Sequence, residues 1–280
     1  MTSGEANSSL AARVAREKEA YEQGLQRGWY DKVLGYGYTE HFYWKHRYGI
    51  VERLLRAEPP EKALEIGSSA WRRFFEGTGV IPKETHCINI SEAELSKGRE
   101  AAIGSRSAPT FHLMDAHHLD FADDYFDFVY GGAVLHHLDL PIAYTEIARV
   151  LKPDGLMIFA EPLDTNPIAK LVRWLTPKAR TPDEHAFRHV DIELTRQRFD
   201  CELEFEQLLT VPFGLIARRL LENPDNSLMR SAFRFDEWLK RAVPAAGPYY
   251  RRVLIVARNR PPRGSSPGAT ARGGAGLTRP

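Results

Sequence analysis

The sequence predicts an α/β fold, a mostly parallel sheet covered by helices on both faces, and three observations lead there. Short apolar runs that read as buried strands recur through the middle of the chain, in KALEIG at 62–67, THCINIS at 85–91, FHLMDAHHL at 111–119, DFVYGGAVLHHL at 127–138 and LKPDGLMIFAEP at 151–162. Between them lie segments with helical spacing of apolar residues, and strand alternating with helix is the signature of parallel crossover units. The first strand stops at Gly67 and gives way to Ser68 and Ser69, a sharp strand-to-helix turn of the kind that receives nucleotide-like ligands.

Taken in order, residues 8–26 are rich in helix formers, but Leu10, Val14 and Tyr21 are sparse, which predicts a surface helix. From Trp29 to Tyr48 aromatic residues crowd around Gly35 and Gly37. Two readings stand here: a packing layer over the sheet, or a lid in which Tyr30, Tyr36 and Tyr43 bind substrate, since ring faces attract a cationic centre. A helix over 47–56 ends at Pro59–Pro60. Strands are predicted at 63–67, 85–90, 110–115, 127–132, 155–160, about 202–211 and 249–258, and further helices near 70–77, 91–104, 140–151 and 191–199. No crossover helix is evident before the last strand, only an irregular insert from about Pro212 to Pro248, so the last two strands are expected to form an antiparallel edge hairpin. Residues 163–190, with Ile168, Leu171, Val172 and Leu175 on one face, are expected to cap the site. The resulting division is an N-terminal helical and aromatic region at 1–58, a main domain at 59–260 with cap insertions near 163–190 and 212–248, and a Gly/Pro/Ser/Arg tail at 261–280 that is expected to be disordered.

Charge narrows the function. With 38 Lys+Arg against 37 Asp+Glu the net charge is +1, which offers no excess of basic residues for a nucleic-acid partner. The two cysteines, Cys87 and Cys201, provide neither a disulfide framework nor a CxxC metal motif. Without a signal-peptide pattern or an apolar run of membrane-spanning length, a soluble, cytoplasmic protein is expected. Oligomeric state is not indicated.

Ligands of open parallel sheets lie beyond the carboxyl ends of the strands, and each strand end here offers a suitable group. Gly67 permits close backbone approach and Ser68 donates; Asn89 is placed for a ribose diol; Asp115–Ala116 accepts from the exocyclic amine of a base; Gly131 and Gly132 leave space for a reacting group; and Glu161 ends the fifth strand. The histidines around Asp115 (His112, His117 and His118) lack recognised ligand spacing, so no metal site is expected.

The order and spacing of these stretches, above all FDFVYGGAVLHHL and EIARVLKPDGLMIFAEP, resemble the class I S-adenosylmethionine-dependent methyltransferases that act on small molecules, over about Ala63 to Pro162. The resemblance implies a Rossmann-like seven-stranded sheet with its last strand antiparallel, S-adenosylmethionine as cofactor, and methyl transfer to a small-molecule acceptor, O- or N- before S-, with specialised metabolism as the expected setting. It implies that Glu65, Gly67 and Ser68 hold the methionine end, Asn89 and Ile90 the ribose, Asp115 and Ala116 the adenine, and Gly131 and Gly132 the methionyl amine. His137 and Glu161 are the candidate catalytic bases, and His136 and His185 are further substrate-binding candidates. The chain departs from the family pattern in having Ser69 and Trp71 where further glycines are usual, and Asn89 where a carboxylate is preferred, so Trp71 is expected against the cofactor. The competing reading is a non-catalytic binding or regulatory protein on the same fold. An oxidoreductase is disfavoured, since GSSAW lacks the GxGxxG spacing.

Overall fold

The computed structural model describes residues 3–23, 36–175, 177 and 184–260. Its sheet has seven strands: β1 Lys62–Ile66, β2 Glu84–Asn89, β3 Thr110–Leu113, β4 Phe126–Gly132, β5 Leu151–Pro162, β6 Phe199–Glu206 and β7 Arg252–Asn259. The order is β3-β2-β1-β4-β5-β7-β6, parallel through the first five positions and antiparallel at β7. Because β1 pairs with β2 on one side and β4 on the other, the winding reverses between β1 and β4, and a crevice opens at their carboxyl ends.

Burial on both faces explains why these strands read as continuous apolar runs. Alternate residues face opposite layers: Met157 and Phe159 of β5 with Val253 and Ile255 of β7 enter one, Leu156 and Ile158 with Leu254 and Val256 the other. The helices, in chain order, are α1 Ser3–Gln23, α2 Tyr36–Thr39, α3 His41–Ala57, α4 Glu92–Ala101, α5 Leu140–Val150, α6 Pro167–Leu175, α7 His189–Arg198, α8 Thr210–Leu220 and α9 Ser227–Ala242. Among the described residues no helix is long and apolar enough to cross a membrane.

Two expectations are corrected. The predicted helix at 70–77 contracts to a single π-helical turn, Arg72–Glu76, because Trp71, Phe74 and Phe75 are all drawn into the layer beneath. The insert from 212 to 248 is helical and not irregular, while the last two strands pair antiparallel at the edge of the sheet as expected. The cause is Asp236, fully buried on α9, whose carboxylate accepts from the backbone N–H groups of Leu208, Leu209 and Thr210 and from the Thr210 hydroxyl. Those N–H groups are the orphan donors of a helix start, so the chain leaves β6 and turns into α8. A cap 26 residues away leaves no local sequence signal.

The aromatic segment divides in the same way. Trp29 and Tyr30 lie outside the described residues, as do the side chain of Tyr36 and the tail at 261–280. Tyr43 is fully buried and donates to Asp236 at 3.0 Å, Phe42 stacks on Phe233 at 5.6 Å, and Trp44 stacks on Tyr48 at 5.4 Å. The described part is thus a packing layer joining α3 to α9. Asp236→Ala leaves at least four donors without their acceptor and is expected to cost about 3 kcal/mol or more, read as a fall in the urea midpoint at unchanged slope.

Candidate functional site

The crevice at the reversal point is a cavity of about 970 Å³ including its mouth, lined by the ends of β1, β2 and β4, the loop after β3, and α1. It gathers Glu65, Gly67, Ser68, Asn89, Ile90, Asp115, Ala116 and Gly132 on one rim, with His137 on the wall and Arg13, Val14, Glu17 and Tyr21 of α1 across the opening. α1 was expected to be a plain surface helix. It is pinned over the cavity instead, with Arg13 donating to the His137 carbonyl at 3.0 Å and Glu22 accepting from Ser91 Oγ and Glu92 N–H.

Glu65 shapes the rim. Its Oε1 accepts from the N–H groups of Ser69 and Ala70 at 2.8 and 2.7 Å, and its Oε2 from Trp71 N–H at 2.8 Å and the Tyr130 hydroxyl at 3.1 Å. Burial pushes its carboxyl above the ordinary value, against the pull of those donors. Gly67 turns at φ +124°, where a Cβ would stand 3.3 Å from Glu65 Oε1, so the turn requires glycine. Trp71 does not fill the cavity. Its indole is buried on the far side, in the layer with Ile50, Val51, Phe74 and Phe75, and only its backbone serves the turn.

The remaining rim residues are held in place. Asn89 donates to Ser68 Oγ at 3.2 Å and accepts from Ser91 N–H at 3.0 Å. Gly131, by contrast, is off the cavity lining, packed where a Cβ would meet Phe159, the Ile66 carbonyl and Val134 within 3 Å. A Cβ on Gly132 would meet nothing within 4 Å, so that side of the cavity is open. Asp115 accepts from His117 Nδ1 at 2.6 Å and from its N–H at 3.0 Å, while His117 Nε2 accepts from Asp139 N–H at 2.8 Å. That last bond fixes the neutral Nδ1–H tautomer and ties Asp115 to the start of α5, whose cap is Asp139. Burial works to raise the Asp115 carboxyl, but the His117 bonds outweigh it and hold it below its ordinary value. His117 was not singled out for this role. Its separation of two from Asp115 is the available signal, since a histidine so placed can return to its neighbour's side chain.

The acceptor-end candidates separate. His137 is on the cavity wall, its Nδ1 3.2 Å from Glu17 Oε2 and its Nε2 3.3 Å from the Tyr21 hydroxyl. Burial, then the neighbouring His136, lower its pKa below that of an ordinary histidine. Glu161 is fully buried and off the cavity lining: Oε1 accepts from Val134 and Leu135 N–H at 3.0 Å each, and Oε2 from His136 at 2.6 Å. Burial pulls the His136 ring down, but Glu161 and Glu184 prevail and raise it to about 9. His185 lines a neighbouring hollow with Arg13, Leu138 and Asp191 and not the main cavity. Tyr43 faces Asp236, away from the site. The structure thus leaves Glu161, His136, His185 and Tyr43 without a place on the main cavity's wall, because their polar atoms turn toward the core or a side hollow.

With this geometry in view, residues 64–159 match the methyltransferase domain family. A malonyl-[acyl-carrier protein] O-methyltransferase of Halorhodospira halophila is 31% identical over 121 residues, covering 40% of this chain and 40% of its own. The methyltransferase GfsG of Streptomyces halstedii is 30% identical over 118 residues, covering 40% and 41%. The chain therefore spans about two fifths of the length of these curated relatives. Among solved structures, the N-methyltransferase NodS of Bradyrhizobium japonicum, in complex with S-adenosyl-L-homocysteine, superposes with a TM-score of 0.52 at 17% identity over 88% of this chain and 98% of that one, a likeness of fold.

Two outcomes test the rim of the cavity. Glu65→Gln turns one acceptor oxygen into a donor facing backbone N–H groups and is expected to lower stability by about 1–3 kcal/mol in urea unfolding. In His117→Gln the cost should depend on pH in a stated direction. Asp115, lowered from 3.8, contributes stability that is present above that value and lost as pH falls through its lower folded one. The gap in urea midpoint between the two proteins should be constant from pH 7 to about pH 5 and shrink below about pH 4.

Proposed function

We propose that the chain transfers a methyl group from S-adenosylmethionine to a small-molecule acceptor, through nitrogen or oxygen in preference to sulfur, in specialised metabolism. The observation that carries this reading is the convergence of Gly67, Asn89, Asp115 and Gly132, from four separate strand ends, on one cavity. The residues suit the cofactor: the open side at Gly132 leaves room for a ligand, and an acidic side chain at Asp115 stands beside the apolar Met114 and Ala116, as an amine-bearing base requires. When bound, S-adenosylmethionine supplies a methyl group on a sulfonium centre, a leaving group that needs no covalent help. Asp115 would accept from the adenine amine, Asn89 and Ile90 would flank the ribose, and the backbone from Gly67 to Ser69 would receive the methionine end. Glu65 acts by holding that backbone.

The protein's part in the reaction is position and proton handling. α1 closes one side of the cavity and excludes water. His137, neutral at physiological pH because burial and His136 hold its pKa low, accepts the proton from an acceptor hydroxyl or ammonium, oriented by Glu17 and Tyr21. The relatives include, by name, enzymes of malonyl-acyl-carrier-protein O-methylation and of demethylmenaquinone methylation, a spread that supports a small-molecule acceptor without narrowing the atom.

Calorimetry with S-adenosyl-L-homocysteine is expected to give one site per chain, weakened about tenfold in Asp115→Ala, the loss of roughly one charge-assisted hydrogen bond. His137→Ala should leave that binding within a few-fold and lower turnover of labelled methyl into a metabolite extract by about 10²–10⁴-fold. Absence of binding heat at high protein concentration would overturn the reading in favour of a non-catalytic protein.

A further inference from the structure

Beside the cavity, two consecutive imidazoles face the same carboxylate. His136 Nδ1 is hydrogen-bonded to Glu161 at 2.6 Å, whereas His137 Nδ1 lies 3.2 Å from Glu17 Oε2 without the geometry of a hydrogen bond. Each presents Nε2 to a third carboxylate, that of Glu184, at 3.6 Å from Oε1 for His136 and 3.9 Å from Oε2 for His137. The rings lie 4.2 Å apart between centroids, and all three groups are largely buried, with side-chain exposures of 4%, 8% and 14%. Among the described residues, these three offer ligand atoms that all fall within 4.8 Å of one another.

The distances to Glu184 exceed those of hydrogen bonds. They approach the edge of a tetrahedron around an ion with ligands at about 2.1 Å, which is roughly 3.4 Å. A carboxylate on Nδ1 is also the usual support of a metal-ligating histidine, because it fixes the ring and leaves Nε2 to the ion. Two nitrogens and one carboxylate suit zinc and its first-row neighbours, whereas magnesium and calcium favour all-oxygen sites.

We propose that His136, His137 and Glu184 bind a divalent transition-metal ion of the zinc class at the wall of the cavity, with Glu161 and Glu17 as the positioning carboxylates. Three protein ligands leave a coordination position for a further group, and His137, which lines the cavity, puts the ion within reach of it. Tyr21, 3.3 Å from His137 Nε2, turns aside when that atom is ligated. The consequence for the acceptor rests on the methyl-transfer reading above. With the ion bound, His137 is a ligand and no longer a base, and an acceptor hydroxyl coordinated to the ion is acidified instead, so the loaded protein favours oxygen acceptors.

The test uses the full chain, stripped with a chelator and titrated with Zn²⁺ alone by calorimetry, with Co²⁺ absorption in the visible region as a second readout of tetrahedral nitrogen and oxygen ligation. One equivalent is expected. Glu184→Gln, which keeps the shape of the side chain, and His137→Ala are each expected to weaken binding at least about tenfold, and Glu161→Gln by about 10–100-fold through loss of ring orientation. His189→Ala, an exposed histidine on α7, should change nothing. Millimolar Mg²⁺ should not compete. No Zn²⁺ binding by the wild-type chain up to about 100 μM, or binding untouched by Glu184→Gln and His137→Ala, would overturn the proposal. S-adenosyl-L-homocysteine binding, measured in parallel, separates this failure from failure of the methyl-transfer reading, since the rim residues that would hold it are not the metal ligands.

Discussion

The site depends on one buried carboxylate. Glu65 lies inside β1, between Cys87 and Tyr130 of the neighbouring strands, and a charge there would be costly without partners. Its partners are three successive N–H groups, those of Ser69, Ala70 and Trp71, at the mouth of the turn. Binding them bends the chain back over the end of its own strand, which forces Gly67 into a conformation that side chains resist and leaves the rim open for a ligand. A dinucleotide-binding loop achieves a similar bend with several glycines. Here one glycine and one carboxylate suffice, because the carboxylate gathers the backbone donors that would otherwise need a helix axis to align them.

That arrangement explains how Trp71 is compatible with a cavity at the same place. A large side chain after the turn must go either into the crevice or through to the other layer. The N–H of Trp71 is fixed on Glu65, so the turn presents its backbone to the rim while the indole packs against Ile50, Val51, Phe74 and Phe75. The aromatic mass shortens the expected helix to a π turn and anchors the rim from behind, trading helical regularity for burial of three large side chains.

How much of this was legible follows from the range of each interaction. The strands, their order and the rim residues at Gly67, Asn89, Asp115 and Gly132 rest on period and local turn chemistry, which a single sequence displays, and all four line one cavity. What the sequence concealed is non-local. Asp236 starts a helix 26 residues earlier, which no window around Thr210 reveals. The 116-residue separation of Tyr21 from His137 is equally invisible, so α1, with too few apolar residues for a buried helix, read as surface. Its buried contribution is polar, Glu17 and Arg13 over the cavity, and hydrophobic patterning is blind to that. Glu161 misled for the opposite reason. Its place at a strand end suggested chemistry, while its oxygens are occupied by two backbone N–H groups and a histidine ring.

The two buried polar clusters differ in a way that separates scaffold from site. Around Asp236, five donors meet one carboxylate, and the cluster is locked into joining α3, α8 and α9. Around His136 and His137, by contrast, Glu17, Glu161 and Glu184 of the described residues stand beside two imidazoles where the wall borders open space. Carboxylates and imidazoles held together in a low-dielectric wall have strongly coupled protonation. The opposite rim carries Glu65 and Asp115 among backbone N–H groups and neutral side chains, with Glu65 turned onto the backbone and Asp115 held by His117. Glu17 of α1 and Glu184 lie outside residues 64–159, whereas the two imidazoles that they face lie within them.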